Sequence, residues 1–377
     1  METTGHIPRH SARHATRPAG RAAKTAVSTV AAIVMIGAGA AIAAAASAQT
    51  GPRPCRAAIS GCGGGTENTG LTGQPPAARV ISRPADGFRG PSAVTVAGGH
   101  LWIANVLGNS LTELAVHGGA RLRTVRSAAF RGPNALAARR NRLWVANVPA
   151  NSVAEVNAGS ARVIRTLSAG FGFASPYALA VSGHRLWIAN AAGNSVTAVS
   201  TRTGRRITTY RGRRYQFNNP YALTVSAGKL WVANSGGRSV TEMNSRTGAW
   251  IATLRAGYHF DDPAALAAAG RTLWVASEAG DSVTGLSTVT GRVIRVLTSR
   301  AYGFNNPAAL ALYGRHLWVA NSLGNSVTEI DTATGKLLRT VAGSKFGFAN
   351  PTGLALAGPY LWVTNLGGNS VTRLRVR

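Results

Sequence analysis

Seven tryptophans stand in one register along the chain, Trp102, Trp144, Trp187, Trp231, Trp274, Trp318 and Trp362, at steps of 42 to 44 residues. Self-similarity at such a period means a repeat architecture, so the repeat unit has to be read first. Seven prolines keep the same step: Pro91, Pro133, Pro176, Pro220, Pro263, Pro307 and Pro351. The repeating text is a loop proline, A-L-A-V, a Gly-containing turn, L-W-V-A-N, a short turn, N-S-V-T-E, T-G and R-T-L. The sixth copy is the cleanest, from Pro307 through Trp318, Asn321, Asn325, Glu329 and Gly335 to Thr340.

Each copy holds four short β-type runs separated by turn residues. L-W-V-A-N is apolar on both alternating faces, which marks a strand buried on both sides. The fourth run is Arg-rich and suits an outer edge, where charge blocks edge-to-edge pairing. Gly204, Gly248, Gly291 and Gly335 sit where a tight hairpin needs positive φ. Four strands per unit at this period predict an all-β fold, a seven-bladed β-propeller of four-stranded blades. The last copy ends after its third strand, and residues 78–82 resemble the fourth strand of another copy, residues 161–165. The N-terminal strand is therefore expected to complete the last blade and close the ring.

Ahead of the repeats, Arg9, Arg13, Arg17, Arg21 and Lys24 precede an uncharged Ala-rich stretch, residues 25–48, that ends in a small-x-small site. This reads as a signal peptide over residues 1–48 and export from the cytoplasm. The competing reading is an uncleaved membrane anchor. Residues 49–76 read as a flexible Gly/Pro-rich linker, whose Cys55 and Cys62 can close one disulfide loop. The propeller takes residues 77–377. Lys plus Arg total 41 against 12 Asp plus Glu, a net charge of +29. That surplus favours anionic neighbours such as nucleic acid, cell-surface polymers or acidic lipid heads, or reflects a G+C-rich genome.

L-W-V-A-N, N-S-V-T-E-I-D and T-G-K resemble the YVTN and NHL type of bacterial β-propeller repeat. The resemblance spans residues 78–377 and implies a propeller, a fold that serves ligand-binding, nucleic-acid-binding, sensory and enzymatic modules alike. The chain itself reads as a monomeric binding or interaction module. More remotely, the chain is similar to the virginiamycin B lyases. Their catalytic histidines follow the loop proline, where this chain has Ser92, Asn134, Tyr177, Tyr221, Ala264, Ala308 and Thr352. No nucleophile elbow, phosphate loop or metal-type His pair is present, so a non-catalytic reading leads and a lyase or hydrolase is the alternative.

The loop that enters each blade and the turn between its second and third strands form one face, the expected ligand face. Each entry loop carries a phenylalanine, Phe88 through Phe348, expected to fill the gap between blades. Asn105 and its counterparts at the end of the second strand are expected to bond to turn backbone. Blade 5 departs from the pattern. It has Asp261 and Asp262 before its proline, Glu278 and Asp281 in its turn, and His259 nearby. Such a cluster is a candidate Ca2+ site or cationic-ligand site, against ordinary Asp-for-Asn turn chemistry. Blade 4 is the opposite outlier, with Arg211, Arg213, Arg214 and Arg238 beside Tyr210 and Tyr215, a candidate grip for phosphates and bases or a set of partners for the blade 5 acids.

Overall fold

The computed structural model describes residues 76–298 and 300–376. The expected signal segment, the linker and both cysteines lie outside the described residues. The described chain forms seven antiparallel four-stranded sheets from 28 strands. Within each sheet the strands run in order from the central axis outward. The first strands of successive blades contact one another around the whole ring, from the one that starts at Pro91 to the one that starts at Pro351.

Ring closure follows the expected route. The first strand of the chain, Ala78–Ile81, pairs antiparallel with the last, Ser370–Arg375, with Ala78 opposite Leu374 and Ile81 opposite Val371. Blade 7 thus takes its outer strand from the start of the propeller and the other three from its end. The Arg375 N–H also donates to the Ala77 carbonyl at 2.9 Å.

The L-W-V motif explains how blades stack. Alternation along a strand puts Trp on one face and Leu and Val or Ile on the other. Trp362 of blade 7 packs in one cluster with Leu101 and Ile103 of blade 1. Trp231 of blade 4 does the same with Leu273 and Val275 of blade 5. All seven register tryptophans are buried. The entry-loop phenylalanine fills the same seam. Phe260, for example, is buried with Trp231 and Val240 on one side and Leu266 and Leu273 on the other.

The repeated polar letters form a buried network inside most blades, and in blade 2 the expected bonds to loop backbone are also present: Asn147 Nδ2 donates to the Ala129 carbonyl at 3.0 Å and its Oδ1 accepts from the Arg131 N–H at 3.2 Å. Asn105 Nδ2 donates to Ser110 Oγ at 3.3 Å and to Thr112 Oγ1 at 2.9 Å. Asn190, Asn321 and Asn365 repeat the pattern with their own Ser and Thr. The N…N-S-V-T text is therefore one hydrogen-bonded unit: the Asn at the end of the second strand needs Ser and Thr on the third. Buried Glu residues use the next position. Glu113, Glu155, Glu242 and Glu329 are each held by basic neighbours, such as His100 at 2.6 Å for Glu113 and Lys229 at 2.5 Å for Glu242. Each charge is paired, as a buried charge must be. The hairpin glycines Gly204, Gly248, Gly291 and Gly335 all have φ between +71° and +78°, as the T-G text requires.

Candidate functional site on the loop face

The loop face is held by one repeated tie. The residue before each loop proline adopts positive φ: Gly90, Gly132, Ser175, Asn219, Asp262, Asn306 and Asn350. In six of these positions its N–H donates to a side-chain oxygen on the preceding blade. Gly90 uses Asn369, Gly132 uses Asn109, Ser175 uses Asn151, Asn219 uses Asn194, Asn306 uses Asp281 and Asn350 uses Asn325, all at 2.7 to 2.8 Å. The accepting turn residues are themselves in the left-handed region, which Asn and Asp tolerate well.

The blade 4–blade 5 junction breaks the pattern. Arg238 occupies the Asn position there and has no oxygen to offer. Among the described residues the Asp262 N–H has no hydrogen-bond partner. Instead the Arg238 guanidinium reaches Asp261, with Nε 3.1 Å from Oδ1. Both side chains are solvent-exposed, 72% and 44% respectively, so this pair is weak.

The carboxylates expected to converge on Ca2+ are divided between different partners. Asp281 spends Oδ1 on the Asn306 N–H and serves the tie as Asn does elsewhere. Asp261 faces Arg238. Among the described residues, no group of three His, Cys, Asp or Glu side chains is arranged to hold a metal ion. His259 is exposed and its ring forms no hydrogen bond or ion pair. It stands at φ +55°, where blades 1, 3, 6 and 7 use Gly87, Gly172, Gly303 and Gly347. Tyr215 is structural: it stacks on Phe217 at 5.4 Å and donates to the Gly248 carbonyl at 3.3 Å. Arg214 is exposed and makes no contact with the acids.

Asp262 and Glu278 do meet, at the loop end of the central axis. The Glu278 N–H donates to the Asp262 carbonyl at 2.9 Å, a bond repeated in all seven blades. It fixes seven equivalent positions: Val106, Val148, Ala191, Ser235, Glu278, Ser322 and Leu366. Glu278 is the one charged residue among them. Its neighbours in blades 4 and 6 are serines, whereas blades 7, 1, 2 and 3 supply apolar side chains. Burial, reinforced by the Asp262 charge, pushes the Glu278 carboxyl up to about 8, and a hydrogen bond from Asn306 offsets this in part.

A tyrosine pair lies beside these acids. Tyr177 and Tyr221 directly follow the loop prolines of blades 3 and 4. Their rings stack at 4.2 Å and their hydroxyls are 2.8 Å apart. Both belong to an apolar cluster that includes Val148, Ala191 and Leu366, and also Ala308 of blade 6. The pair thus covers the axis. Burial, Tyr177 and the charges of Glu278 and Asp262 push the Tyr221 phenol well up from its usual value. The mouth of the ring is therefore amphipathic: phenols and carboxylates on one side, aliphatic side chains on the other. The tyrosines had been noted only as positions lacking histidine. The visible signal was tyrosine after proline in two successive blades and nowhere else in the ring.

This geometry sits on a widely shared scaffold. The chain superposes on virginiamycin B lyase from Staphylococcus aureus with a TM-score of 0.68 at 14% identity, covering 80% of this chain and 99% of that one. The WD40 repeats of RRP9 match with a TM-score of 0.67 at 15% identity over 81% of this chain and 99% of that chain. Kuenenia stuttgartiensis hydrazine synthase matches with a TM-score of 0.64 at 18% identity over 76% and 96%. At these identities the likeness concerns the fold alone. No protein-family model and no curated relative matches the sequence, so the YVTN and NHL resemblance stands on its motifs.

A surface cavity of about 550 Å³ lies elsewhere, on the outer corner of blade 3, lined by Phe173, Ser195, Thr209 and Arg211 among others. Of the expected candidates, Arg211 of the blade 4 arginine group borders it.

Proposed function

We propose that the chain is an exported, non-catalytic β-propeller of the YVTN/NHL type whose loop face receives a small amphipathic ligand bearing an ammonium group. The observation that carries this reading is Glu278, the one charged residue among seven equivalent positions at the mouth, set beside Asp262 and Tyr221. A carboxyl that keeps its proton near neutral pH donates one hydrogen bond when the site is empty. An incoming cation favours the charged form, so binding displaces that proton. The aliphatic half of the mouth, Val148, Ala191 and Leu366, supports the apolar part of the ligand.

Calorimetry with tryptamine as the probe tests this. Binding is expected to release protons at pH 7 and to weaken at least tenfold in Glu278→Gln. Equal affinity of wild type for tryptamine and for the isosteric indole propionate would remove the charge argument. A second reading is a lyase in which Glu278 is the acid–base group, favoured by a carboxyl poised near neutrality. The absence of histidine at all seven positions after the prolines counts against it. Loss of virginiamycin B on incubation with the protein, followed by chromatography, decides between the two.

A further inference from the structure

The two ends of the ring differ in how their charges are balanced. On the loop face Asp86, Asp261, Asp262, Glu278 and Asp281 lie among cations such as Arg89, Arg131, Arg213, Arg214 and Arg238. The opposite face is built from the turns between first and second strands and the hairpins between third and fourth strands. Hydrogen bonds tie these two sets of turns together blade by blade, as from Thr201 N to the His184 carbonyl and from Thr288 N to the Arg271 carbonyl, at 2.9 and 2.8 Å. This hairpin face carries an exposed cation in each of six blades: Arg121, Arg162, Arg205, Arg246, Arg271 and Lys336. Among the described residues none of these side chains has a hydrogen-bond or ion-pair partner. The carboxylates on this side are already used. Asp331 is tied to Arg315 and to the Thr334 N–H, and the four Glu side chains are buried in their blades.

Aliphatic side chains accompany the cations. Leu122, Ile164, Ile207, Ile251 and Ile294 are all more than 40% exposed. Each is the second residue of its blade's outer strand, so each lies within about 7 Å of the hairpin turns at the usual strand rise. Val289, in the blade 5 hairpin, is 52% exposed. A soluble polyanion offers charge but no apolar layer. A bilayer offers both, with anionic headgroups above hydrocarbon.

The chain itself enters the ring on this side. Ala78 pairs with Leu374, and the Ala77 carbonyl accepts from Arg375, next to Val376, which is bonded to the blade 7 turn at Pro359. The 76 or so residues that precede the ring therefore join it at the cationic face, and they include the uncharged stretch 25–48.

We infer that the hairpin face docks on an anionic lipid bilayer, leaving the loop face turned away from the membrane. Six unpartnered cations on one end of a rigid ring act together on a planar surface, and the aliphatic second residues give that contact an apolar component. This inference is independent of the ligand assigned to the loop face.

Vesicle co-sedimentation of the full chain tests it. The measured quantity is the excess bound to vesicles of 30% phosphatidylglycerol in phosphatidylcholine over pure phosphatidylcholine, at about 0.1 M salt where the Debye length is about 10 Å. This difference subtracts any insertion by residues 25–48. The triple variant Arg205→Glu, Arg246→Glu, Arg271→Glu is expected to lose the excess at least tenfold. A control with the same change in charge on the loop face, Arg89→Glu, Arg131→Glu, Arg213→Glu, is expected to change it less than threefold. All six sites are exposed, and matching melts for both variants confirm that each is folded. Equal losses in the two variants would overturn the inference, as would no excess for wild type. Single-stranded DNA that binds more tightly than vesicles at equal phosphate, with the same loss in the hairpin-face variant, would reassign the face to a soluble polyanion.

Discussion

Six junctions between blades are tied on the loop face by a turn Asn or Asp that accepts the next blade's pre-proline N–H; the seventh, between blades 4 and 5, is not. The apolar parts of the two kinds of junction are the same. Trp231 meets Leu273 and Val275 as Trp362 meets Leu101 and Ile103. The lower edge of the odd junction is also secured, by Lys229 Nζ to the Val289 carbonyl at 3.3 Å. What differs is the polar rim. Arg238 replaces the acceptor, and carboxylates gather opposite it. The outer strand adds a contact at four junctions, where Arg79, Arg123, Arg165 and Arg295 reach across to hairpin carbonyls of the next blade. Blade 4 has Ala252 at that position, but blade 3 has Thr208, so this contact does not single out the odd junction. Packing sets the ring, whereas the ties on its rim can be exchanged for a site.

The comparison predicts three graded effects. The largest tests whether the cores really are equivalent. Trp144→Ala, at an ordinary junction, and Trp231→Ala, at the odd one, are each expected to cost about 3–5 kcal/mol in chemical denaturation. A cost at Trp231 below half of that at Trp144 would mean the blade 4–blade 5 seam is loosely packed as well as untied.

The ties come next. Asn325→Ala removes the acceptor for the Asn350 N–H and puts Ala at φ +46°, so it is expected to cost about 1–3 kcal/mol. Arg238→Ala breaks only an exposed ion pair and is expected to cost less than about 1 kcal/mol. Asp281→Asn keeps the acceptor and is expected to stay within about 0.5 kcal/mol. Equal losses at Asn325 and Arg238 in urea melts would show that Arg238 replaces the tie energetically.

The smallest effect is a pH dependence at the mouth. Glu278 in the unfolded chain ionises near the ordinary value of about 4.3, and in the fold near 8. Between those values the folded state holds the extra proton, so this group's contribution falls as pH rises and is fully unfavourable above pH 8. Glu278→Gln should therefore match wild type near pH 4 and exceed it near pH 9. The gain is expected to be about 1 kcal/mol, since the side chain keeps some solvent, or about 2–4 °C in Tm. A constant difference between the two proteins across that range would assign the effect to packing.

The propeller, the number of blades and the closing strand were legible in the sequence, because a strand buried on both faces and a turn needing positive φ each leave a local mark. L-W-V-A-N and T-G are such marks, and repetition multiplied them by seven. The departure of blade 5 was legible too, as was Arg238 as a partner for its acids. What only the tertiary structure decided is which departures matter. Asp281 and Glu278 look alike as acids in one turn, yet one ties the Asn306 N–H at the rim and the other is buried at the mouth beside Asp262 and Tyr221. Those roles depend on which neighbouring blade each side chain meets, and contacts between residues 25 to 44 apart are made by the ring, not by the local text. The cationic face has the same origin. Arginines scattered evenly along the chain become one surface because four-stranded blades return every second turn to the same end of the ring.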